Sequence, residues 1–160
     1  MKNDIIIRRF EEKDLDDVHE TIAQALETAA ISKVYEPEKL EIWHESYSKK
    51  CILGLSKLRH LYVADLDGKV VGCAAVSYDE SKAFVSCVYI NNNYQGMGIG
   101  RKLITALEND EISQKTKKMF LHAVLTAKKF YEKMGFHIEG DFPEITDDNG
   151  VEVVLLIKEL

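Results

Sequence analysis

Apolar positions follow two periods along this chain. Ile5-Ile6-Ile7-Arg8 is β-branched and short, which predicts a strand. Asp14 then reads as a helix N-cap. Leu15, Val18, Ile22, Leu26 and Ala29 follow at spacings of three and four, one apolar helical face. Pro37 stands where a first-turn proline is welcome, and Leu40, Trp43 and Tyr47 continue as a second helix.

The period then changes. His60 to Leu66 predicts a strand, Asp67-Gly68 a hairpin turn, and Lys69 to Tyr78 the next strand. Asp79-Glu80-Ser81 is a second turn and Ala83 to Ile90 a third strand, so these three form an antiparallel meander. A Gly-rich turn leads into a helix from about Gly98 to Glu108, with Leu103, Ile104 and Leu107 inward. Met119 to Val124 is strand-like. Thr126 caps a short helix that stops at Gly135, a C′ glycine, and Phe136 to Glu139 and Val151 to Ile157 are the closing strands. The clusters at Glu108 to Glu111 and Lys115 to Lys118 read as a solvated helix end and loop.

The predicted order is β-α-α-β-β-β-α-β-α-β-β. That is an α/β (mixed α+β) fold, with a mostly antiparallel sheet and helices on both faces. No repeat or linker divides the chain, so residues 1–160 read as one domain.

Composition changes this picture only at its margins. Hydrophobic residues are 46% and charged residues 30%, an ordinary globular balance. The net charge of −6 argues against broad binding to nucleic acid or an anionic membrane, while leaving room for a local basic pocket. Cys51, Cys73 and Cys87 are odd in number and lack C-x-x-C spacing, so they read as free thiols, with neither a disulfide framework nor a metal site. No apolar run reaches the roughly 20 residues of a membrane span, and the expected location is cytoplasmic.

The chemistry concentrates in Val88-Tyr89-Ile90-Asn91-Asn92-Asn93-Tyr94-Gln95-Gly96-Met97-Gly98-Ile99-Gly100-Arg101. A strand runs into three alternating glycines from which a helix opens. Glycines let backbone N–H groups approach a ligand, and a helix start adds free donors and partial positive charge. The segment reads as a phosphate cradle, with Arg101 able to add a full charge. A P-loop and a dinucleotide fingerprint both require a glycine where Arg101 stands, so neither fits.

Gln95-x-x-Gly98-x-Gly100 resembles the Q/R-x-x-G-x-G/A motif of the GNAT superfamily of N-acetyltransferases. Ala127-Lys128-Lys129-Phe130-Tyr131-Glu132-Lys133-Met134-Gly135-Phe136 resembles that family's A-x-x-x-Y-x-x-x-G-F segment, and the predicted element order is also the family's. The resemblance implies acetyl-CoA as co-substrate. Val88, Tyr89 and Ile90 would pair with the pantetheine arm, and Gln95, Gly96, Met97, Gly98, Ile99 and Gly100, with Arg101 beside them, would hold the pyrophosphate. Tyr131 would sit near the sulfur. Two positions depart from the pattern: Asn92 replaces a frequent proline, and Val124 a frequent asparagine whose contact Thr126 is placed to supply.

The implied reaction transfers acetyl to a primary amine of a small molecule or peptide, with Tyr131 as the acid for the leaving thiolate. Glu45, His44, Glu80 and His122 are candidate bases by residue type. Tyr35, Trp43, His44 and Tyr47 form an aromatic group in the early helices, with Trp43 read as core and Tyr35 and Tyr47 as acceptor-pocket walls. A domain that holds acyl-CoA without turnover is the competing expectation. No metal is expected, and the reading leaves room for a homodimer.

Overall fold

The computed structural model describes residues 4–27, 36–141, 143, 145–148 and 151–160. Ala29 and Tyr35 lie outside them. Seven strands make one sheet: β1 (Ile5–Arg9), β2 (His60–Leu66), β3 (Lys69–Asp79), β4 (Lys82–Ile90), β5 (Lys118–Val124), β6 (Ile145–Asp148) and β7 (Val151–Glu159). Their spatial order is β1-β2-β3-β4-β5-β7-β6. Every pairing is antiparallel except β4 with β5.

The helices are α1 (Leu15–Leu26), α2 (Pro37–Ser46), α3 (Lys49–Leu58), α4 (Ile99–Asn109), α5 (Glu111–Thr116) and α6 (Lys128–Glu132). On one face, Val18, Ile22 and Leu26 of α1 and Ile52 of α3 bury against Leu61, Val63, Val70 and Cys73. On the other, Leu103, Ile104 and Leu107 of α4 bury against Ala64, Val71, Ala74 and Val76. Strand β3 is therefore covered on both sides, and it is buried from Val70 to Val76, as a central strand should be. No helix among the described residues is long and apolar enough to cross a membrane.

The predicted fold class and the helices on both faces hold, with four local differences. Residues Lys49–Leu58 form a third early helix, whose N-cap Ser48 accepts from the Cys51 N–H. Glu111–Thr116 is helical too, because the Asp110 side chain caps it through the Ile112 N–H. Phe136 to Glu139 makes only a single bridge, His137 to Ile157; the strand beside β7 is Ile145–Asp148. Asp14 stands at the N-cap of α1 as expected, but its side chain accepts from the Glu11 N–H and makes no cap bond to α1, and Thr126 makes none to α6. Asp14 is instead buried in the fork of Arg8, at 2.8 and 2.9 Å. Gly135 does take the left-handed conformation predicted for it, with φ +94°.

One polar cluster sets the position of α4. Asp110 ends α4 and begins α5, and its buried carboxylate accepts from Tyr62 Oη at 2.6 Å and meets His60 Nδ1 at 2.9 Å. Both partners lie on β2, so this cluster pins the C-terminal end of α4 to the sheet. Burial alone would raise the Asp110 carboxyl, but the bonds from Tyr62, the Ile112 N–H and His60 hold it below its ordinary value of 3.8. A carboxyl held low stabilises the fold above its unfolded-state pKa, and that contribution fades as pH falls through the folded value. Asp110→Ala leaves a half-buried phenol and a helix start unpaired, and should cost about 2 kcal/mol at pH 7. Thermal melts at pH 7 and pH 3 check this: the gap between wild type and variant should narrow in acid.

Candidate active site

Strands β4 and β5 pair only at Ala83–Met119, Phe84–Phe120 and Val85–Leu121. Beyond Val85 they part. Each stays fastened on its other side: β3 pairs with β4 as far as Ile90, and β7 with β5 as far as Val124. The cause lies in β4. Three residues of β3, Cys73 to Ala75, lie opposite four of β4, Ser86 to Tyr89, so β4 carries one extra residue. Cys87 absorbs it at φ +57°, a conformation that costs a non-glycine residue about 1 kcal/mol or more. A cleft of about 580 Å³ fills the gap, walled by residues from Val85 to Ile90 and from Leu121 to Val124.

Strand alternation decides what β4 offers this cleft. The Asn91 N–H reaches the Val71 carbonyl at 2.8 Å, toward β3. By alternation Tyr89 also turns its backbone toward β3, and Val88 and Ile90 turn theirs toward the cleft. Tyr89 contributes its ring instead: its hydroxyl accepts from Trp43 Nε1 at 2.8 Å, and its ring meets Tyr47 edge-on at 5.4 Å.

The glycine-rich turn stands at one end of the cleft. Gly96 and Gly98 have φ of +81° and +76°, and added Cβ atoms there would meet nothing within 4 Å, so conformation is what requires glycine. The first bond of α4 runs from the Lys102 N–H to the Gly98 carbonyl at 3.1 Å. Among the described residues, the six successive N–H groups from Gly96 to Arg101 have no acceptor. Such a run of free donors at a helix start is an anion site. Gln95 lines the cleft and donates from Nε2 to the Ile90 carbonyl at 3.3 Å, tying turn to strand. Gly100 answers to packing: a Cβ there would collide with the Phe130 ring and lie 3.0 Å from Ile90 Cδ1. Ile99 is buried in the core, Met97 is exposed, and Arg101 points away, into a shallow groove with Ile5 and Ile7. The cradle is built from backbone dipoles, without the cation placed beside it from the sequence.

Tyr131 rises from α6 into the cleft, between Phe130 and Phe136 at ring separations of 5.0 and 5.9 Å. It is 8% exposed, and burial raises its phenol well above the ordinary value of 10, with nearby Cys87 adding to the shift. Among the described residues its hydroxyl has no hydrogen-bond partner, which is unusual for a buried tyrosine. Val124 and Thr126 both line the cleft, so Thr126 is placed to compensate for the missing asparagine.

At the far end stand Trp43, Tyr47, Arg59, Phe84, Ser86 and His122. Trp43 packs with the core as expected, while also facing the cleft. Burial raises the Tyr47 phenol. Of the four candidate bases, His122 alone is among the lining residues; it is exposed, and edge-on to Phe84 and Phe120 at 5.9 and 6.0 Å. Cys73 and Cys87 are buried with their sulfurs 3.9 Å apart, and Cys51 is exposed. Sequence reasoning missed Arg59 and Phe84. Phe84 lies inside a predicted strand and Arg59 just before one, and neither position carries a motif.

These elements agree with known proteins. The sequence model of the acetyltransferase (GNAT) domain matches residues 57–138, just over half the chain. An uncharacterised N-acetyltransferase of Methanocaldococcus jannaschii is 29% identical over 159 residues, 97% of this chain and 92% of that protein. The fold matches PaiA N-acetyltransferase from Thermoplasma acidophilum, solved in complex with coenzyme A, at a TM-score of 0.83 and 22% identity, covering 98% of this chain and 99% of that one. It also matches a GCN5-related N-acetyltransferase from Rhodopseudomonas palustris at 0.82 and 20% identity, covering 100% and 99%. With the domain match, the parted strands and the cradle at the start of α4, the chain belongs to the GNAT superfamily of N-acetyltransferases.

Proposed function

We propose that this protein binds acetyl-CoA and transfers its acetyl group directly to a primary amine, and that residues 1–160 form one such domain. The observation that carries the reading is the run of six unclaimed N–H groups at the mouth of a split sheet. The pyrophosphate would lie against the backbone of Gly96 to Arg101, with Gln95 holding the turn to Ile90. The pantetheine arm would run along the free edge of β4, bonding to Val88 and Ile90 as an added strand would. The side chain of Tyr89 would wall the acceptor end. The coenzyme A complex of the Thermoplasma relative supports this cofactor class.

The reaction then follows from what lines the cleft. The ammonium of the acceptor loses a proton to water in the open mouth, where His122 is the imidazole at hand. The amine nitrogen attacks the thioester carbonyl, and the Val88 N–H stabilises the oxyanion. The C–N bond forms, the C–S bond breaks, the nitrogen sheds its second proton to water, and the thiolate takes up one in return. Tyr131 opens onto the same cleft with a free hydroxyl, and its raised pKa keeps it protonated throughout the neutral range. It therefore donates a hydrogen bond to sulfur as charge develops there.

Two measurements test this. Coenzyme A at 100 times its dissociation constant should stabilise the protein by about 2.7 kcal/mol in thermal melts. Gly98→Val, forced to φ +76°, should weaken coenzyme A binding at least about ten-fold with the sheet intact by circular dichroism. No stabilisation of the wild type would sink the cofactor assignment. Separately, Tyr131→Phe should lower kcat by about 100-fold in a thiol-release assay, with KM for acetyl-CoA little changed. Because the phenol stays protonated, any alkaline loss of activity between pH 8 and 9.5 should be the same in both proteins. Binding without thiol release from any amine would instead favour a domain that holds acyl-CoA without turnover.

A further inference from the structure

We propose that the acceptor is a small amino-carboxylate, and that Arg59 reads its carboxylate; this rests on the acetyltransferase reading above. Arg59 closes α3, its N–H bonded to the Leu55 carbonyl at 2.9 Å, so its backbone is set at the start of β2. Its side chain is half-buried and reaches across to β4. Nη1 donates to Ser86 Oγ at 2.7 Å, and the guanidinium lies 5.6 Å from the centroid of the Phe84 ring. These two contacts hold the planar group in place and use only one of its five donors. The rest of the fork lies at the cleft wall.

Among the described residues that guanidinium has no carboxylate partner. Among the described residues Arg59 makes no ion pair, and no aspartate or glutamate lines the cleft. In a chain with six more acidic than basic side chains, a fixed cation facing only aromatic rings and a serine is a missing half of a pair. By comparison, Arg8 binds Asp14 and Asp65. A stacked, planar fork matches a carboxylate in two-point geometry.

Position narrows the ligand. Ser86 precedes Val88 by two residues with the bulge at Cys87 between them, so at most about 7 Å of strand separates them. Arg59 thus stands one small molecule's length from the thioester carbonyl placed at Val88. An amine held there would have its carboxylate at Arg59 and its body against Phe84 and Trp43. The same cation favours the unprotonated amine that attack requires. A polyamine meets the opposite situation: its second ammonium finds Arg59 and no acidic side chain.

The test uses the full chain, acetyl-CoA, and the common amino acids, each paired with its own amide, with spermidine alongside. For the preferred pair, the free acid should exceed the amide in kcat/KM by about ten-fold or more, carried by KM. Arg59→Gln should bring that ratio toward one, and Arg59→Lys should restore part of it. Stabilisation by coenzyme A, measured on each variant, reports that fold and donor site are intact. An amide or spermidine used better than every free acid overturns the proposal, while coenzyme A stabilisation leaves the acetyltransferase reading standing. An acid-to-amide ratio unmoved by Arg59→Gln overturns it too. So does a loss confined to succinyl-CoA as donor, which would assign the cation to the acyl chain. If coenzyme A does not stabilise the wild type and no amine releases thiol, both readings fall.

Discussion

Strands β4 and β5 share three residue pairs and then separate, and the rest of the site depends on that parting. A sheet ordinarily leaves no free edge inside itself, since unpaired strand groups attract other chains and are costly once dry. Here the edge is tolerated because both strands are anchored elsewhere. Pairing with β3 holds β4 as far as Ile90, and pairing with β7 holds β5 as far as Val124. The extra residue at Cys87 sets where the separation begins. The opening is thus a cleft between two strands that are each anchored on their outer side.

On the proposed reading, the donor end of this slot would use dipoles where many phosphate sites use cations. Arg101 follows the glycines directly, yet its side chain lies in the groove beside Ile5 and Ile7. The N–H groups of this turn are left without acceptors among the described residues, next to Gln95 on the cleft wall. Helix α4 keeps its aim because its far end is held by Asp110, Tyr62 and His60 on β2. A structural cluster remote from the slot therefore governs the direction of the cradle.

Legibility in the sequence tracked locality. The meander, α4 and the cradle are each contained in one continuous stretch with a clear period or spacing, and all were readable. The order of elements was readable apart from two helices and the place of one strand. Helix α3 was lost because Gly54 and Ser56 dilute its helical pattern, and α5 because five of its six residues are charged or polar and look like a solvated loop. Strand β6 was misplaced because Phe136 to Glu139 alternates like a strand but makes one bridge only. The bulge left no local signal, since cysteine does not announce a positive φ. Tyr131 was legible from its motif, though its free hydroxyl was not.

Arg59 marks the sharpest form of that limit. Its partners, Ser86 and Phe84, are more than twenty residues away, and nothing at position 59 distinguishes it from any basic residue ending a helix. The donor half of the site is one segment, so its chemistry can be read from one segment. The acceptor half is assembled from α2, α3, β4 and β5, four elements that meet only in the fold. The proposed electrostatics divide along the same line: neutral dipoles would serve a cofactor that never changes, and a charge with no counter-ion among the described residues would serve the molecule that must be told apart from other amines. A charge suits that task, because an amide in place of the carboxylate leaves Arg59 without its counter-ion, a larger penalty than an ill-fitting apolar wall imposes.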